Sequence, residues 1–149
     1  MNSDATSPGN SGRILALDVG DRRIGIACSD PTGLLASPVG VYRRTGLERD
    51  LDHLASVAAE YEADRIVVGL PVNMNGSEGA QAEKTRAFAE ALRSRGLRVE
   101  FWDERLTTVE ATRMLQERGM RRKRIDSVVD ELAATLILDG YLLSRGPNR

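Results

Sequence analysis

The hydrophobic pattern of this chain changes period once, near Leu47, and that change limits the fold more than any other feature. Before it, Arg13 to Val19, Arg23 to Ser29 and Ser37 to Arg43 are short apolar stretches of strand type, the first two joined by a turn around Gly20 and Asp21. After it, Leu47, Leu51, Leu54, Ala58 and Tyr61 recur at three- and four-residue intervals, the stripe of an amphipathic helix. Arg65 to Gly69 reads as a short buried strand, and a Gly/Pro/Asn-containing connection leads from it into an Ala-rich helix from about Ala80 to Arg95, ended by Gly96. Arg98 to Trp102 supplies a fifth strand. Thr107 or Thr108 can cap a helix running to Arg118, and a basic loop, Arg121 to Arg124, precedes a final helix from Asp126 to about Ser144. The order β-β-β-α-β-α-β-α-α predicts an α/β fold: a mixed five-stranded sheet with helices on its faces.

A length of 149 residues suits one domain, placed at 13–145, with the polar stretch 1–12 as a disordered tail. No segment approaches the roughly 20 apolar residues of a membrane span, and the first residues lack the apolar core of a secretion signal, so a cytoplasmic location is expected. The single cysteine, Cys28, sits in an apolar run and reads as a small buried hydrophobe. The single histidine, His53, lies in a charged helical stretch. Triad chemistry and histidine-rich zinc sites therefore lack material, which leaves carboxylates. A net charge of −1 excludes a protein that coats nucleic acid by bulk electrostatics, while leaving room for a local basic groove.

Three acids stand out. Asp18 interrupts an apolar strand at its end, where an ionised carboxylate needs a cation or hydrogen-bond donors; bonding to the turn backbone is the other role open to it. Glu104 follows the fifth strand, and alternation from Trp102 places it on one face with Asp103 on the other, although acids at strand ends are commonly just solvated. Asp130 shares a helix face with Ala133, Ala134, Ile137 and Tyr141, a face that must pack on the sheet; a capping role with Ser127 is the alternative. Coming from the first strand, the fifth strand and the last helix, these acids can converge at one sheet edge. Clustered carboxylates suit Mg²⁺, and a pair of such ions can activate water and stabilise a leaving oxygen in phosphodiester displacement.

Four segments in this order, Asp18-Val-Gly-Asp-Arg-Arg-Ile-Gly-Ile-Ala27, Val68-Gly-Leu-Pro71 with Gly76 beyond, Asp103-Glu-Arg-Leu-Thr-Thr108 and Asp130-Glu-Leu-Ala-Ala134, resemble the YqgF (RuvX-like) family. The resemblance runs from about Arg13 to Leu143. It implies an RNase H-like fold akin to Holliday-junction resolvases, with Asp18, Glu104 and Asp130 as catalytic acids that bind Mg²⁺ or Mn²⁺. It further implies a hydrolase that processes the 5′ side of precursor 16S ribosomal RNA in ribosome biogenesis. Resolvases of similar fold often carry a further acid beside the last one. Here Ser127 and Asp126 stand three and four residues before Asp130, which weakens junction cleavage as the activity.

Arg23, beside Asp18 on the hairpin, and Arg105, after Glu104, are candidates to contact a phosphate or orient the acids, and each also reads as an ordinary surface arginine. Thr107 serves as a cap or a substrate contact. Arg118, Arg121, Arg122, Lys123 and Arg124 border the Asp130 helix and are candidate backbone contacts for nucleic acid. The loop Pro71 to Ser77 reads as a strand-to-helix connector, or as a phosphate site at a helix amino end. The expected partner is precursor rRNA or a ribosomal precursor particle, with no membrane, and the chain is expected to be a monomer or weak homodimer. Three rival activities remain: a Holliday-junction resolvase-like DNA nuclease, a catalytically silent RNase H-like binding module, and an actin-like ATPase, for which Asp-x-Gly is also a signature. The ATPase reading needs a second such domain, and the chain contains no repeat.

Overall fold

The computed structural model describes residues 12–106 and 122–145, with side chains for 12–105 and 132–145. Five strands form one sheet: β1 (Ile14–Val19), β2 (Arg23–Ser29), β3 (Ala36–Arg43), β4 (Arg65–Leu70) and β5 (Val99–Asp103), in the spatial order β3-β2-β1-β4-β5. The first three strands pair antiparallel, as tight connections dictate, whereas β4 lies parallel to β1 and β5 parallel to β4. Helices α1 (Leu47–Glu60) and α2 (Ala80–Ser94) carry the chain across to the parallel strands, and a third described helix, α3 (Arg122–Arg145), closes the chain.

Side-chain alternation divides the sheet into two faces. Leu15, Leu17 and Val19 of β1, with Ile24, Ile26 and Cys28 of β2, point to α1 and α2, where they meet Leu51, Leu54, Val57, Phe88, Ala89 and Leu92. Ile14, Ala16, Ala27 and Val67 point the other way and meet Ala134, Ile137, Leu138, Tyr141 and Leu142 of α3. The second face is built from smaller residues, so α3 lies close against it. A side chain at Gly140, for instance, would bring its Cβ within 2.9 Å of the Trp102 ring. The carboxyl-terminal half of α3 is further tied down by polar contacts: the Tyr141 hydroxyl donates to Glu100 at 2.7 Å, and Arg65 spans Asp64, Glu100 and that hydroxyl.

Strand and helix placement follows the sequence reading with three corrections. Leu47, the first residue of α1, is 49% exposed, because a helix's opening residue lies beyond the sheet it will cover. The buried stripe of α3 runs through Ala134, Ile137, Leu138, Tyr141 and Leu142, while Ala133, expected on the same face, is only partly buried. Arg122, Lys123 and Arg124 form the first turn of α3, not a loop; they are good helix formers, and neither Gly nor Pro separates them from Asp126. Residues 1–11, the helix expected after Thr107, and Arg118 and Arg121 lie outside the described residues. Cys28 is buried, burial pushes its thiol up from the ordinary value, and His53 stacks on Tyr42 at 4.1 Å, so neither is poised for catalysis.

Candidate active site

Asp18 sits one residue before the end of β1. Ile14 and Ala16 face α3, so alternation turns Asp18 to the same side. It pairs across the antiparallel ladder with Gly25, and one step along the parallel register from Leu17–Val68 places it beside Gly69. Two glycines therefore flank this carboxylate, leaving it room in a half-buried position where the rest of β1 is hydrocarbon.

Glu104 begins the 3-10 turn that follows β5, on the face already occupied by Glu100 and Trp102. Its carboxylate lies over Gly69: a Cβ placed there would be 2.8 Å from Glu104 Oε2 and 2.4 Å from the Ile137 Cδ1 of α3. Glycine inside a strand often marks such a close approach. Burial, the neighbouring Asp18 charge, a hydrogen bond with Asp18 and the more distant Asp103 charge together push Glu104 from 4.5 up to about 7. When protonated, Glu104 donates to the Asp18 carboxylate.

This pair stores a pH-dependent strain. The folded protein holds the Glu104 proton to higher pH than the unfolded chain does, so the metal-free protein loses stability as pH rises from about 4.5 to about 7. Glu104→Gln removes that dependence. Urea denaturation at pH 8 without divalent ions is expected to find the variant more stable by on the order of 1–3 kcal/mol, with the difference shrinking toward pH 4.5.

The surrounding polar groups are mostly engaged with one another. Arg105 folds back on Asp103, gripping it through Nε and Nη2 at 2.9 and 2.6 Å, which holds Asp103 below its ordinary carboxylate value. Arg23, exposed at the start of β2, shares the α3 face and the sheet end with Asp18. The turn after Asp18 is braced from the other face: Arg44 donates from Nη1 to the Gly20 carbonyl at 2.8 Å and from Nε to Asp50 at 2.8 Å. Asp50, only 1% exposed, also accepts from the Tyr42 hydroxyl and the Thr45 and Gly46 amides.

Asp18 and Glu104 are thus brought together. Asp130 belongs to α3, one helical turn before Ala134, and its side chain lies outside the described residues, as do those of Thr107, Arg121, Arg122, Lys123 and Arg124. Among the described residues no group of three or more His, Cys, Asp or Glu is gathered for a metal. Gly69, Arg44 and Asp50 escaped the sequence reading as contributors to the site. Glycine within an apolar strand was the available signal for Gly69, whereas Asp50 reads as one more solvated acid in a charged helix turn.

A mixed sheet of this order, with two carboxylates meeting at the ends of β1 and β5, is an RNase H-like architecture. Thermus thermophilus RuvC, solved in complex with a Holliday junction substrate, superposes with a TM-score of 0.58 at 15% identity, covering 91% of this chain and 97% of that one. Residues 12–144 match the family described as RuvX, Holliday junction resolvase, and the chain belongs to that family. Relatives named "Putative pre-16S rRNA nuclease" include one from Moorella thermoacetica, 50% identical over 137 residues, covering 91% of this chain and 98% of the relative. Another, from Myxococcus xanthus, is 49% identical over 136 residues, covering 91% and 90%. The protein is a phosphodiester hydrolase.

Proposed function

We propose that this chain is a metal-dependent endonuclease that hydrolyses phosphodiester bonds at the 5′ end of precursor 16S rRNA during ribosome biogenesis, in the cytoplasm. The observation that carries the reading is the Asp18–Glu104 pair: two carboxylates half-buried against each other, one holding its proton to about 7. A hard divalent cation relieves that repulsion, and all-oxygen donors fit Mg²⁺ or Mn²⁺. Asp18, Glu104 and Asp130 would hold the ion; helical spacing from Ala134 and Ile137 supports Asp130 as the third acid. When bound, the ion supplies Lewis-acid stabilisation and an activated water.

The chain's own residues hold the substrate. Arg23 is suited to a phosphate beside Asp18, and Arg105, already fixed on Asp103, fixes the turn that carries Glu104. Thr107, Arg121, Arg122, Lys123 and Arg124 extend the proposed contact surface toward α3. Their charges supply phosphate affinity without base specificity.

The family description favours one other substrate, a four-way DNA junction. Purified protein with Mg²⁺ or Mn²⁺ should cut a precursor rRNA fragment faster than a matched DNA junction. Equal or faster junction cleavage would replace the rRNA reading, and no cleavage of either would favour a silent binding module.

A further inference from the structure

The connection between β4 and α2 is a closed hairpin. Val72 bridges Glu78, the Asn73 amide donates to the Ser77 carbonyl at 2.8 Å, and the Gly76 amide donates back to Asn73 at 2.8 Å, with Gly76 at φ +89°. Side chains complete the ring: Asn75 Oδ1 accepts from the Ser77 amide at 3.0 Å, and Asn73 Nδ2 donates to the Ser77 hydroxyl at 3.0 Å. Asn73, Asn75 and Ser77 hydrogen-bond to one another while remaining exposed, and Glu78 pairs with Arg86 of α2. Met74, at the tip, is 80% exposed, whereas Val72 at the base is half-buried.

The hairpin is also indexed to the acids. It rises from the end of β4, which lies between β1 and β5 in the sheet, so it stands at the same end as Asp18 and Glu104. Arg105, the residue after Glu104, donates from Nη1 to the Met74 carbonyl at 3.4 Å while its other nitrogens grip Asp103. The backbone at Met74 is therefore linked to the turn that carries Glu104.

Proteins that hold single-stranded nucleic acid commonly stack its bases on aromatic rings. This chain has six aromatics, all committed elsewhere: Trp102 packs edge-on to Tyr141, Tyr42 stacks on His53, Arg44 covers Phe88, Arg86 and Arg93 cover Phe101, and Tyr61 lies against the core. Among the described residues, the other large apolar side chains exposed toward that end, Val41 and Leu47, are 39% and 49% exposed and lie on a strand and on the first helix turn. A thioether is polarisable and conformationally adaptable, so it can pack on any base.

We infer that Met74 packs on the face of an unpaired RNA base next to the scissile phosphate, so that the enzyme favours unstacked over fully paired RNA. The inference rests on the nuclease reading of Asp18 and Glu104, and binding and cleavage separate the two. A stem-loop RNA carrying 2-aminopurine beside the cut, bound to Asp18→Asn protein, should change fluorescence as the base leaves its stack. Adding Met74→Ala should abolish most of that change and Met74→Leu should preserve it. In cleavage, Met74→Ala should lower the preference for looped over duplex RNA by roughly twofold to tenfold, mainly through KM. An unaltered fluorescence change and preference in Met74→Ala, or failure of Met74→Leu to retain them, would overturn the inference. A fluorescence change lost in Met74→Ala while wild type cuts neither substrate would remove only the nuclease reading.

Discussion

Asp18→Asn is expected to lower cleavage by at least about 100-fold while making the metal-free protein more stable. The rate expectation follows from scale: losing a group that merely orients a metal ligand costs about 10–100-fold, and losing a ligand directly costs no less. The stability expectation follows from the pair. Asparagine fills the space between Gly25 and Gly69 but carries no charge to oppose ionisation of Glu104. Glu104 then titrates nearer its ordinary value, and the penalty that wild type bears at neutral pH shrinks. Cleavage assays with urea denaturation at pH 7.5 to 8 would check both. A fall in rate together with a gain in stability excludes unfolding as the cause, while equal rates would move the active site elsewhere.

Gly69→Ala should have nearly as large an effect on catalysis through a quite different route. The new methyl group would lie 2.4 Å from Ile137 Cδ1 and 2.8 Å from Glu104 Oε2, and atoms cannot remain at either separation. Ile137 is 1% exposed and has little freedom to retreat, so the shift falls mainly on Glu104 and on the local seating of α3. Overpacking of this kind costs about 1–3 kcal/mol. Displacing a catalytic carboxylate by about 1 Å costs on the order of 100-fold in rate. The checks are a thermal melt and the Mg²⁺ concentration giving half-maximal activity, which should rise several-fold. Unchanged metal dependence with full activity would show that the methyl group does not displace Glu104.

Most of the framework was readable before any coordinates because it is written in hydrophobic period. The apolar runs of β1 and β2 read as buried strands, the stripe of Leu51, Leu54 and Ala58 as a packed helix, and the short connections as an antiparallel meander followed by helical crossovers, whereas the order β3-β2-β1-β4-β5 came only with the structure. The family resemblance and the fold agree with that reading. What escaped it depended on proximity between distant segments. Nothing in the sequence neighbourhood of Asp50 shows that Tyr42, Arg44 and two backbone amides will surround it. Gly69 belongs to a segment that carries the family resemblance, but its role in leaving room for Glu104 became visible only when β5 delivered that residue above it. The start of α3 was misplaced for a different reason: a run of cations suggests a loop by its solubility, although arginine and lysine are also strong helix formers.

The Arg44 brace couples parts of the molecule that a list of active-site residues would treat separately. Because the Gly20 carbonyl hangs from a guanidinium whose counter-charge is seated in the first turn of α1, the order of the Asp18 turn is borrowed from a helix on the opposite side of the sheet. Fraying of the α1 amino terminus and loosening of the Asp18 turn are then expected to be one opening event in hydrogen exchange, not two. With Asp18 in the proposed active site, cleavage is accordingly expected to be sensitive to substitutions at Arg44 and Asp50, on the opposite face of the sheet.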